Sequence, residues 1–117
     1  MAVTAKDFRR IALSFPESEE RAHMEHPDFR VGNKIFATLG YPDDGWGMVK
    51  LSPRDQMQFV EGESKAFVPV KGTWGRQGAT IVRLSAVSKA ALQRALTAAW
   101  KNRAPKRLVQ QFGSMAD

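Results

Sequence analysis

The sequence predicts an α+β fold, a two-layer sandwich in which helices pack on one face of an antiparallel β-sheet. Three observations carry that prediction. Candidate elements run in the order helix, strands, short helix, strands, helix. The strands are joined by short turns, which suit antiparallel neighbours rather than parallel ones. Thr4, Ser52 and Ser88 each stand where a helix cap belongs. With 117 residues the chain is read as one domain over residues 1–117, large enough for one core.

Each element has its own warrant. Thr4 with Asp7 three residues later makes a capping pair, and Phe8, Ile11, Ala12 and Phe15 follow at helical spacing until Pro16 stops the helix. Glu17-Ser18-Glu19-Glu20 reads as a solvated acidic turn. Phe29-Arg30-Val31 and Lys34 to Leu39 flank Gly32-Asn33, the pattern of a hairpin with a two-residue turn. In that register Phe29 faces Phe36 across the strands. Tyr41-Pro42-Asp43-Asp44-Gly45 is a turn, and Trp46 to Leu51 the returning strand. Ser52-Pro53 starts a short helix running to about Glu61. Ala66 to Val70 and Ala79 to Leu84 are two further strands, with Pro69 tolerable only at an edge. Ser88 caps a long helix with Leu92, Ala95, Leu96, Ala99 and Trp100 on one face. Ala104-Pro105 ends it, and Lys106 to Val109 begins a short tail element.

Charge is divided between the two halves of the chain. Residues 64–117 hold ten Lys and Arg and a single acid, Asp117, whereas residues 1–63 hold eight bases and eleven acids. Such segregation points to nucleic acid or another anionic partner. There is no cysteine, which excludes disulfides, a thiolate nucleophile and a thiolate-bound metal. No apolar run approaches the roughly 20 residues that span a bilayer, and no signal-peptide pattern opens the chain, so a cytoplasmic protein without membrane contact is expected.

Candidate chemistry is sparse. His23 and His26 flank Glu25, but in an extended segment residues three apart point to opposite faces, so surface or core-edge histidines are expected and no metal. The serines occupy no nucleophile-elbow context. No catalytic residue, cofactor or enzymatic activity is expected, and the chain is read as a monomer.

The densest signal is Lys71-Gly72-Thr73-Trp74-Gly75-Arg76-Gln77-Gly78. It lacks the Gly-Lys-Ser/Thr ending of a P-loop, and a strand follows it rather than a helix, so it is no nucleotide cradle. Read as a flexible hairpin loop, it offers Trp74 for stacking and Arg76 for a phosphate, unless Trp74 folds back on the core. Lys106 and Arg107 lie beyond the reach of the preceding helix dipole, which accounts for Lys101 and Arg103. Arg83 shares a strand face with Ala79 and Ile81, where it snorkels or lines a groove.

His26-Pro27-Asp28-Phe29-Arg30-Val31-Gly32-Asn33-Lys34-Ile35-Phe36-Ala37-Thr38-Leu39 resembles the hallmark hairpin of the YjbR/MmcQ family. Phe67-Val68-Pro69-Val70, the loop to Gly78, and Ile81-Val82-Arg83-Leu84 are similar to its second signature, and Ala104-Pro105-Lys106-Arg107-Leu108 to its closing motif. The resemblance spans about Asp7 to Leu108. It implies a frataxin-like (CyaY-like) two-layer fold in a small bacterial cytoplasmic protein. It also implies two protruding loops, a "double wing" proposed to bind DNA. One wing would be Lys71 to Gly78. The other would be Tyr41 to Gly47, which carries Asp43 and Asp44 and no base.

The functional expectation is therefore a DNA-binding domain of low sequence specificity that contacts the phosphate backbone. Its candidate contacts are Lys71, Trp74, Arg76, Gln77, Arg83, Lys106 and Arg107. The alternative is a protein-interaction or small-anion-binding module, with a groove around Trp74 and Arg83.

Overall fold

A computed structural model describes residues 3–116. It contains α1 (Ala5–Leu13), β1 (Glu19–His23), β2 (His26–Val31), β3 (Lys34–Leu39), β4 (Trp46–Lys50), α2 (Pro53–Gly62), β5 (Phe67–Pro69), α3 (Thr73–Arg76), β6 (Ala79–Arg83), α4 (Lys89–Arg103) and α5 (Lys106–Ala116). The strands form one antiparallel sheet in the order β1-β2-β3-β4-β6-β5. The predicted α+β class and the helix-covered antiparallel sheet are what the chain adopts.

The helix starts follow their caps. The Thr4 hydroxyl accepts the Asp7 N–H at 3.1 Å, and the Asp7 carboxylate accepts the Thr4 N–H at 3.0 Å. That backbone hydrogen bond is the main reason the Asp7 carboxyl lies below its ordinary range. Ser52 and Ser88 accept the backbone N–H groups of Asp55 and Ala91 in the same way, each at 3.1 Å.

The core lies between the sheet and α1, α4 and α5. Trp100 of α4 is fully buried, stacked on Phe15 with centroids 5.8 Å apart and tilted against Phe112 of α5 at 5.1 Å. Its indole N–H donates to the Pro16 carbonyl at 3.2 Å, which fastens the end of α1 to α4. On the other side Phe8 packs over Gly47, where a Cβ would stand 2.6 Å from the ring. Any side chain at position 47 would force the buried Phe8 ring to move.

Three expectations need correction. Glu17 to Glu20 is not all turn: Glu19 and Glu20 begin edge strand β1, pairing with Arg30 and Phe29. No hydrophobic alternation marks this strand in the sequence, because Glu19 to Ala22 are all exposed. Phe29 faces Ala37 rather than Phe36, because a bulge between Phe29 and Arg30 shifts the register by one residue. The bulge turns the adjacent residues Phe36 and Ala37 both into the core, where strict alternation would expose one of them. His23 and His26 do not point apart. They pair directly across the hairpin turn at Met24-Glu25, whose φ values are 48° and 68°.

Among the described residues no long helix covers the second face of the sheet; only the short α3 stands at its margin. Strand alternation and the pairings Thr38 with Met48 and Met48 with Ile81 put these three side chains on it, together with Trp46, Lys50 and Arg83. Among the described residues no helix is long and apolar enough to cross a membrane.

Candidate functional site

The segment from Lys71 to Gly78 connects β5 to β6, but it is not a flexible hairpin tip. It is wound into α3, with Arg76 N–H donating to the Gly72 carbonyl at 3.1 Å and Gln77 N–H to the Thr73 carbonyl at 3.0 Å. Two glycines permit this. Gly72 caps the turn at φ 85°, and Gly75 sits so close to Val70 that a Cβ would come within 1.5 Å of its carbonyl oxygen. From α2 the Gln56 amide donates to the carbonyls of Gly75 at 2.9 Å and Ala79 at 3.0 Å, bracing the turn from below. A helical turn with glycine inside it gives no periodic pattern, which is why the sequence read it as a loop.

The turn holds Trp74 outward rather than over the core, with 54% of its surface exposed. The Lys50 ammonium lies 5.7 Å from its ring centroid. Behind the ring is a small pocket of about 140 Å³ lined by Lys50, Gln77, Asn102 and Arg103. No carboxylate lines it. The Asn102 amide donates to the Lys50 carbonyl at 2.9 Å, tying the end of α4 to β4. Arg103 Nε is buried there without a partner. Burial, with the positive charge of Arg103 second, pushes the Lys50 ammonium below the usual lysine range.

The other predicted residues are dispersed. Arg76 and Gln77 are exposed on α3 and just after it, and the Arg76 guanidinium donates to the Thr73 hydroxyl at 3.0 Å. Lys71 is exposed and shares a shallow cavity of about 340 Å³ with Tyr41, Pro42 and Val70. Arg83 sits at the far end of β6, roughly 13 Å from Ala79 at strand rise. It does not join Trp74. Its guanidinium covers Trp46 at 4.6 Å from the ring centroid. Lys106 is exposed at the start of α5, and Arg107 beside it is paired with Glu17 at 3.3 Å.

The sequence missed Lys50, Asn102 and Arg103. Lys50 was legible in principle, since alternation from Trp46 through Met48 puts it on the uncovered face. Asn102 and Arg103 come to Trp74 only through tertiary packing.

A larger groove opens on that face. It encloses about 460 Å³ between Met24, His26 and Tyr41 on one side and Trp74 on the other, over Ile35 and Met48. Thr38 lies in it, 2% exposed, and its hydroxyl has no hydrogen-bond partner. His26 and Tyr41 meet edge to face at 6.3 Å. Next to the groove, Asp28 is fully buried, accepting from Arg30 at 2.8 Å and 3.1 Å and lying 2.7 Å from His23 Nδ1. Burial works to raise the Asp28 carboxyl, but hydrogen bonds and charge from Arg30 and His23 prevail and hold it below the carboxylate range. The two loops implied as wings thus flank one surface: Tyr41 and Pro42 face Lys71 across it. Asp43 and Asp44 line a neighbouring cavity with Met24 and His26.

Among the described residues no group of three or more His, Asp or Glu is placed to hold a metal ion. Comparison with curated protein sequences finds no match. Among solved structures, the chain is similar to the crystal structure of a Deinococcus radiodurans protein, DR2400, with a DUF419 domain. The TM-score is 0.74 at 16% identity, over 96% of this chain and 89% of that one. A family model described as YjbR matches residues 13–102, well over half the chain. Those residues run from the end of α1 to the last turn of α4 and include the hairpin, the braced Trp74 turn and Lys50; the chain belongs to the YjbR family.

Proposed function

We propose that the protein binds nucleic acid through the phosphate backbone, with low sequence specificity, as a binding module rather than an enzyme. One observation supports this above others: Trp74 stands half-exposed on a braced turn, with Arg76 beside it and Lys50 and Arg103 lining the acid-free pocket behind it. Cations so placed release counterions when they meet phosphates, and an exposed indole stacks on a base of any identity. Gln77 and Lys71 extend the contact, and Lys106, exposed at the start of α5, adds a separate positive charge. Arg83 and Arg107 have protein partners, Trp46 and Glu17, and contribute little. The Tyr41 to Gly47 loop, with Asp43 and Asp44, repels phosphate and limits the basic footprint to one wing.

The test is fluorescence anisotropy with labelled duplex and single-stranded DNA at two salt concentrations. Affinity should fall steeply with salt, and Arg76→Ala should flatten the log–log slope by about one unit. Arg83→Ala should leave it unchanged. Absence of binding to both DNA forms at low salt refutes the reading.

A second, compatible role as a small-anion-binding module is favoured by the apolar groove beside Trp74 and by the unpartnered Arg103 Nε.

A further inference from the structure

We propose that the uncovered face of the sheet, between Trp74 and Met24, binds an aromatic carboxylate: a flat apolar body with one carboxylate, held at Lys50. This deepens the small-anion role and rests on it. The groove volume of about 460 Å³ lies within the range of small-molecule sites. Its floor is Ile35 and Met48, and its walls are the rings of Trp74, Tyr41 and His26. An inorganic anion would leave that apolar floor wet, whereas a flat ring covers it and meets the wall rings in offset or edge contact. Met24, 86% exposed on the rim, has the flexible thioether that adapts to ligand shape.

Two polar features fix the orientation. The Thr38 hydroxyl is buried in the groove with no partner, a rare condition in native proteins that a ligand oxygen relieves. Lys50 lines both the groove and the small pocket that holds the unpartnered Arg103 Nε. Two neighbouring cations without a carboxylate suit an anion. At the opposite side Asp43 and Asp44 share a cavity with Met24 and His26 and repel a negative group. Asp28 is already matched by Arg30 and His23 and does not oppose the ligand. The carboxylate therefore points to Lys50, and the ring lies toward Met24.

The experiment is a proton–nitrogen NMR titration of the full chain with three separate probes: 2-naphthoate, its neutral counterpart naphthalene-2-methanol, and inorganic phosphate. Naphthoate should shift the signals of Ile35, Thr38, Met48, Lys50 and the Trp74 indole, and bind more tightly than either other probe. Lys50→Met should weaken naphthoate about tenfold and leave the neutral probe unaffected. Thr38→Val, which preserves shape, should weaken naphthoate several-fold, and Arg76→Ala should not change it. Equal affinity for naphthoate and the neutral probe, or shifts on another face, overturns the proposal. Phosphate binding at Lys50 that naphthoate does not exceed overturns it too, yet leaves the small-anion role standing. No response to any probe removes both.

Discussion

Gly75 packs directly beneath the Val70 carbonyl, leaving 1.5 Å where a methyl group would have to fit. The backbone of α3 and the end of β5 are therefore locked together at the one place where the chain projects its exposed tryptophan. Because the obstructing atom belongs to the backbone, no side-chain rotation relieves the clash. Gly75→Ala should destabilise the fold by about 1–3 kcal/mol and change the emission of Trp74. Gly62 makes the matched control: nothing lies within 4 Å of its missing Cβ. Gly62→Ala should be neutral or stabilise by up to ~1 kcal/mol in the same urea titration.

The two tryptophans at opposite ends of the burial scale should separate stability from recognition. Trp100 is enclosed by Phe15 and Phe112, so Trp100→Ala should cost ~3–5 kcal/mol, a large part of the stability of a small domain. Trp74→Ala should change the unfolding free energy by less than about 0.5 kcal/mol and reduce single-stranded DNA affinity by ~1–3 kcal/mol. A large loss of stability in Trp74→Ala would mean that the ring is part of the core.

Asp28 should make the protein acid-sensitive. Its folded carboxyl titrates below its unfolded value, so its contribution is complete above that value, near about pH 3.9, and disappears as pH falls through the folded value. Asp28→Asn should lower stability at pH 7 by about 1–3 kcal/mol, since Arg30 loses its charged acceptor. Chemical denaturation of the variant and the parent should converge at the acid end of the profile. A difference that persists unchanged at low pH would assign the loss to packing instead.

Lys50 works in the other direction. Its ammonium titrates below the ordinary lysine value, so the charged form is disfavoured by folding. That cost is fully present below the folded value and fades as pH rises to the unfolded one, so stability climbs through that window. Lys50→Met keeps the apolar stem and should raise the melting temperature at pH 7 by a few degrees, with the gain shrinking toward pH 10.

The parts that were legible share one property: a local physical cause. The caps at Thr4, Ser52 and Ser88, the left-handed pair Gly32-Asn33 and the helical stripe ending at Trp100 each act within a few residues, so the sequence displays them. The misses have causes at a distance. Strand β1 exists because Glu19 to His23 pair with β2, although their own side chains show no alternation. The α3 turn exists because Val70 and Gln56 enclose it, although Gly75 reads as a helix breaker. Trp74, Arg76 and Gln77 entered as candidate contacts from their place in the glycine-rich segment. Lys50 and Arg103 were not, because α4 brings Arg103 to a strand some fifty positions earlier, as the Asn102 to Lys50 hydrogen bond records.

The two lateral margins of the sheet have a consequence for how the protein behaves in a crowded solution. An unpaired strand margin is a template on which another chain can add its own backbone, the first step toward a fibre. Here one margin is β1, where Glu19, Glu20 and Arg21 stand exposed, and the other is β5, only three residues long and ending in Pro69. Charge resists a newcomer on the first side, and a missing N–H limits it on the second. A sheet with one face free of long helices is thereby kept from growing in its own plane at either end.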